Sequence, residues 1–394
     1  MTNKQINLTK THHIVLELAS SALLNKEVVL NEPIDWKTLF KVIHQQNIIS
    51  ITYPLIKDLN LPEDILNQWK KENDLFLLNN VRNISAHFSI HQFMKDANIP
   101  YVIIKGIASG SYYPDYLRRT YGDVDILVHP NDYKNTDQLL QENGFQYISE
   151  HEKHKLYRKN HVTYELHRRI VGIPSGSLGK QYDQFFNDII ECSIPFKHQD
   201  SICLIPSHKH HCVILLIHTA EHMLSSGIGL RHLMDWASFI NQMNDEFFMN
   251  MKPILKELGI WHLCCVFTAL CSKYLGSRTF DWASSIDSTY LEEVMIDLFT
   301  LGDFVVEKPT QEESSLQKDK ALSSFITLLN KRVRRIPIID QYPVLMPFGY
   351  IFITVRYIGR IFLGKREFKT VKETINRYGE RSELLEKLEL FKEE

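Results

Sequence analysis

Two periodicities divide the chain. Short β-branched runs alternate with polar turns inside residues 96–205, and apolar side chains recur at helical spacing on either side. Over residues 10–95, Ile14, Leu16, Leu18, Ala19, Ala22 and Leu23 come close to one helical face. A second helix starts after Pro33, with Asp35 as N-cap and Trp36, Leu39, Phe40 and Ile43 inward. Leu61-Pro62-Glu63 opens a third, which runs through Trp69, Leu75, Phe76 and Leu78 to Phe93 and Met94. This region predicts a helical cap or a dimerisation element.

The pattern changes at Ile99-Pro100. Tyr101 to Ile104 is a short β-branched run and predicts a buried strand, ended by Lys105-Gly106. A short helix is expected over 107–113, closed by Pro114-Asp115, and then a strand through Asp123-Val124-Asp125-Ile126-Leu127-Val128. His129-Pro130-Asn131-Asp132 is a turn, 132–143 a helix with Leu139 and Leu140 inward, and Gly144 its C-cap. Residues 145–148, 155–158 and 162–168 predict three more strands. The fold class is α+β, a small mixed sheet flanked by N-terminal and C-terminal helical regions.

From Ser207 the helical period returns over 211–224, 230–243, 261–275 and 291–301, with Gly227-Ile228-Gly229 as a link. The chain divides into an N-terminal helical region 1–95, a core 96–205, a helical domain 206–305, a polar linker or mobile loop 306–320 and a C-terminal helical region 321–394. Helices are expected there over 325–335, 342–363 and 382–392.

Bulk numbers add limits. The 394 residues are 44% hydrophobic and 23% charged, the balance of a soluble protein with room for more than one packed unit. Formal net charge is −2, so no global pull toward nucleic acid is predicted. Residues 1–10 are polar and lack the apolar core of a secretory leader. Cys192, Cys203, Cys212, Cys264, Cys265 and Cys271 show no C-x-x-C pairing, so reduced thiols in a cytoplasmic protein are expected. Residues 348–363 are apolar but contain Arg356 and Arg360, which favours an amphipathic helix over a transmembrane one.

The chemistry concentrates around Asp123 and Asp125. In a strand they share a face, with Val124 and Ile126 on the other. Two like charges on a mostly buried strand are costly unless a positive group lies between them, and a divalent cation with oxygen ligands is the natural one. Gly106 follows a strand and opens a helix, with Ser109 one turn in, an arrangement whose free N–H groups suit a phosphate. Lys105 and Arg119 can offset phosphate charge, though a strand-end lysine is commonly solvated and an arginine commonly in a salt bridge. Glu165 and His167 alternate onto one face of a later strand. Beside Asp125, Glu165 would complete three carboxylates, and His167 would be a nucleotide contact or a satisfied core histidine.

These residues resemble a known family. Lys105-Gly106, Tyr113-Pro114-Asp115, Arg119, the Gly122 to Val128 run and Glu165-Leu166-His167 are similar to the bacterial uncharacterised nucleotidyltransferase-like family of the DNA-polymerase-β superfamily. The likeness covers roughly residues 100–170, and His218, His222, Arg231 and Asp235 also look like positions that family favours. Many relatives in the superfamily carry Gly-Ser together, whereas here Ile107-Ala108 separates Gly106 from Ser109. The resemblance implies a polymerase-β-like domain that moves an NMP from an NTP, ATP first among them, to a hydroxyl. Pyrophosphate is released, and the acceptor is a small molecule, protein or RNA. It implies two Mg²⁺ ions, with Mn²⁺ as a substitute, held by Asp123, Asp125 and Glu165. Lys105, Gly106, Ser109, Arg119 and His167 would bind nucleotide; His218, His222, Arg231 and Asp235 would support the site from behind. An inactive nucleotide-binding or regulatory protein of the same fold is the alternative.

Two further runs compete. His218-Thr219-Ala220-Glu221-His222 matches the H-x-x-E-H pattern of inverted zinc peptidases, with Glu246 and Glu257 the acidic candidates for a third ligand. Its apolar flanks speak for a core helix. Lys331-Arg332-Val333-Arg334-Arg335 reads as a charged helix end, with an RNA or membrane-surface contact as the other reading.

Overall fold

The computed structural model describes residues 7–28, 30, 33–150, 154–174, 176–225, 227–301, 381 and 383–391. The linker, the Lys331-Arg335 run and the helices expected over 325–335 and 342–363 lie outside the described residues.

Helices α1 (Lys10–Leu24), α2 (Trp36–Gln45), α3 (Ile49–Ile56) and α4 (Glu63–Asp96) come first. Asp35 caps α2 as expected, accepting from Thr38 N at 3.0 Å. The 34-residue α4 serves two cores. Its start buries Trp69 edge-on against Phe40, at 5.3 Å between rings, and its end buries Ile84, Ile90 and Met94 under the sheet. Each such side chain, fully buried, contributes about 1.5–3 kcal/mol.

The middle of the chain gives β1 (Tyr101–Ile103), α5 (Ile107–Gly110), β2 (Val124–Val128), α6 (Tyr133–Glu142), β3 (Gln146–Glu150), β4 (His154–Lys159) and β5 (Val162–His167). They form one mixed sheet in the order β1-β2-β5-β4-β3. β2 and β5 run parallel; the other neighbours are antiparallel. Ile103, Val124, Ile126, Val128, Tyr164 and Leu166 pack with the end of α4, whereas Val102 and Leu127 join the helical core. The side of β2 that carries Asp125 and Leu127 therefore faces the helices.

The helix expected over 107–113 is only a four-residue turn. Pro114 disfavours helical backbone at Tyr113, and so short a helix sums few peptide dipoles. A phosphate cradle built on a helix dipole loses its basis there.

After the sheet come α7 (Gly176–Phe185), the hairpin β6 (Ile194–His198) and β7 (Ser201–Ile205), and helices α8 (His208–Ser225), α9 (Leu230–Gln242), α10 (Asp245–Glu257), α11 (Trp261–Leu275) and α12 (Ser288–Leu301). Side chains from α1–α3, α8–α12 and the segment 383–391 fill one shared core. Arg381 fastens the last segment with two 2.7 Å bonds to Asp297. None of the six cysteines is in a disulfide, and among the described residues no helix is long and apolar enough to cross a membrane.

Candidate active site

The parallel β2–β5 register sets Asp125 directly against Glu165. Asp123 sits one residue before β2. All three line one cavity of about 320 Å³ with Lys105, Gly106, Ser109 and Arg119, closed on the helical side by His218, His222, Arg231, His232 and Asp235. Of the metal-binding, nucleotide-binding and supporting residues named from the family resemblance, all but His167 line this space. His167 is fully buried behind it.

The loop between α5 and β2 is held from three sides. Asn80 of α4 donates to Leu117 O at 2.9 Å and accepts from Tyr121 N at 3.2 Å. Thr120 donates to Asn47 O at 2.7 Å. Arg118 donates to Ser50 O at 3.1 Å and pairs with Asp115, so it turns away from the cavity. Asp123 thus leaves a fixed loop and not a mobile one.

Inside the cluster the charges are partly balanced. Lys105 Nζ stands 3.2 Å from Asp125 Oδ1, and His167 Nε2 lies 3.1 Å from both Asp125 Oδ1 and Glu165 Oε2. Burial alone would raise the Asp125 carboxyl; Lys105 and His167 outweigh it and hold the group well below the usual carboxylate range. Asp123 has no cation so close. Burial, then Asp125 and Glu165, push its carboxyl up to about 6. Burial opposes the charge on Lys105 and on His167, yet the facing carboxylates raise both.

His167 therefore holds carboxylates in place, and its placement is not that of a direct nucleotide contact. Arg119 is also committed. It forms a two-pronged pair with Asp235, Nε to Oδ1 and Nη2 to Oδ2 both at 2.7 Å, and Tyr113 donates to the same Oδ1 at 2.7 Å. Both partners are 7% exposed. The pair pins the loop before β2 to α9.

Gly106 adopts φ +60°, and a Cβ there would stand 2.5 Å from His87 Nε2. Only glycine fits both conditions. The neighbouring His87 is fully buried, donates Nδ1–H to Asn83 O at 2.6 Å, and is pushed down to about 4 by burial.

Two residues near the cluster were not anticipated. His154 lies opposite His167 in the β4–β5 ladder, 3.6 Å from Glu165 Oε1. One ligand atom from each of His154, Glu165 and His167 falls within 4.8 Å of the others. His232 reaches the cavity from α9. A count back from the two-residue turn Asn160-His161, both at positive φ, would have found His154. No local signal marks His232. The zinc-peptidase pattern meets a different fate: Glu221 does not line the cavity, nor do Glu246 and Glu257 of α10.

A family model described as "Uncharacterised nucleotidyltransferase" matches residues 32–276. No curated protein matches the chain. Among solved structures, an antigenic nucleotidyltransferase-like protein from Paracoccidioides brasiliensis is similar at 16% identity and a TM-score of 0.31, over 49% of this chain and 92% of that one.

Proposed function

The chain belongs to the uncharacterised nucleotidyltransferase family, and we propose that it moves a nucleoside monophosphate from an NTP to a hydroxyl of an acceptor, releasing pyrophosphate. The observation that carries this reading is the Asp125–Glu165 pairing across adjacent parallel strands, with Asp123 in the same cavity. Three hard carboxylate donors on the wall of one cavity suit a divalent cation. Asp123, Asp125 and Glu165 would hold Mg²⁺, two ions in the fullest form. When bound, the metal would neutralise phosphate charge and acidify the acceptor hydroxyl. Carboxylate oxygens suit Mn²⁺ as well, so it is the substitute to test.

The chain's own groups do the positioning. Lys105 is charged at neutral pH and stands at the carboxylates, so it can exchange Asp125 for a phosphate oxygen. Gly106 lets the backbone approach closely, and Ser109 adds a hydroxyl to the same wall. Arg231 brings a second cation from α9, while Arg119 and Asp235 hold the loop that carries Asp123. ATP is the first nucleotide to test, and the acceptor is a small molecule, protein or RNA.

The test is incubation with each NTP and Mg²⁺ over a metabolite extract, a protein mixture or tRNA. Pyrophosphate release and mass spectrometry of the products are the readouts. Asp125→Asn and Glu165→Gln are expected to lose at least about 100-fold in rate. Equal turnover by wild type and Asp125→Asn would remove the carboxylates from the chemistry. Nucleotide binding with no release over any acceptor class would assign the chain to the regulatory reading.

A further inference from the structure

Three imidazoles close on one another where α8 meets α9. His218 and His222 stand one turn apart on α8, and His232 comes from the first turn of α9. One ligand nitrogen of each lies within 4.8 Å of the other two. Ring centroids are 4.5 Å apart for His218 and His222, 5.1 Å for His222 and His232, and 5.7 Å for His218 and His232.

The hydrogen bonding of His218 and His232 is incomplete. Both ring nitrogens of His232 and Nδ1 of His218 are buried with no hydrogen-bond partner. Buried polar atoms nearly always find a partner, because burial without one forfeits the bond to water. Here three such atoms sit in one cluster at a cavity wall. Burial, with Lys105, Arg231 and the other histidines nearby, holds His218 and His232 well below the usual histidine range. Neutral rings keep a lone pair, which is what a metal ion needs and what a phosphate cannot use.

We propose that His218, His222 and His232 form a binding site for a zinc-class transition-metal ion, separate from the carboxylate cluster and open on one side to the same cavity. The donor chemistry separates the two sites. Imidazole nitrogens suit zinc and its neighbours, whereas carboxylates suit magnesium. The i, i+4 spacing on α8 aims two rings to one side, and α9 supplies the third. The remaining coordination position faces the cavity, where water or an oxygen of the substrate can fill it. The site is not that of a peptidase. The Glu221 carboxylate lies toward Gly172, with Oε2 3.3 Å from where a Cβ there would stand.

The test uses the untagged full chain, stripped with a chelator and titrated with Zn²⁺ in excess Mg²⁺, then with Co²⁺ read by visible absorption. Stoichiometric zinc, the absorption bands of nitrogen-ligated Co²⁺, and survival of both in Asp125→Asn are expected. His232→Ala should weaken zinc binding by more than the roughly 10–100-fold that losing a mere supporting partner costs. Should His232→Ala misfold by circular dichroism, His222→Gln, at a half-buried position, gives the same comparison. Substoichiometric zinc in the wild type overturns the proposal, as does an affinity unchanged in both variants or lost in Asp125→Asn. Neither readout uses a nucleotide, so failure of nucleotidyl transfer leaves the result standing.

Discussion

Replacing Asp235 by alanine strands a buried guanidinium. Arg119 and Asp235 meet through two 2.7 Å bonds at 7% exposure, with Tyr113 as a third partner. Breaking one side of such a pair costs about 3–5 kcal/mol, since the surviving charge stays largely buried and loses its two-pronged partner. Asp235→Ala is expected to lose that much stability, and Arg119→Met a comparable amount. The double variant Arg119→Met/Asp235→Leu should lie nearer the wild type than either single, because apolar volume in place of a buried ion pair is often neutral. A coupling energy of up to about 3 kcal/mol should appear in the four-protein cycle, read by thermal and urea unfolding. Additive singles, or Arg119→Met at wild-type stability, would refute the argument. If that stable variant also bound NTP more weakly, Arg119 would be a phosphate ligand after all.

Two other outcomes are expected. The Asp123 carboxyl rises from 3.8 to about 6 in the metal-free fold. Mg²⁺ affinity by calorimetry should therefore be flat above pH 6 and fall roughly tenfold per unit below it, as the proton competes with the ion. The sign for stability is opposite. The folded chain holds this proton more tightly than the unfolded one, so the group favours the metal-free fold as pH drops from about 6 toward 4, and Asp123→Asn removes that dependence. An affinity equal at pH 7 and pH 5 would contradict the assignment. Gly106→Ala combines a strained positive φ with a collision at His87, and should cost roughly 1–3 kcal/mol in melting experiments. His87→Ala in the same chain should recover the collision part alone, and full recovery would show that backbone strain contributes nothing.

The sequence carried the acidic residues clearly and their partners poorly. Asp123 and Asp125 stand out because carboxylates interrupt an apolar run at period two, and Glu165 and His167 repeat the pattern. Their convergence depends on the chain crossing from β2 to the far edge at β3 and returning through β4, so that β5 lies parallel to β2, a tertiary choice with no local mark. Arg119 looked like a phosphate ligand because its neighbours in sequence are acidic-site residues. Its actual partner is 116 residues away. Helices α3 and α10, inside regions expected to be helical, were not marked as separate elements, and the β6–β7 hairpin was not anticipated. Pro54, Pro253 and Pro195 sit inside them, at positions that ordinarily argue against regular structure.

Asp123 and Asp125 are two residues apart and line one cavity, yet their carboxyls shift in opposite directions. Composition and burial cannot explain this, since the more deeply buried acid is the one held ionised. The difference lies in which cations face each group. Lys105 and His167 both reach Asp125 Oδ1, and His167 also takes Glu165. The inner carboxylates are thus compensated by the protein itself, and the fold tolerates them without a metal. Asp123, at the outer end, is left with its own desolvation and then the repulsion of its neighbours. It is the group whose proton an arriving cation must displace, and this is why the pH dependence of metal binding should follow Asp123 and not Asp125.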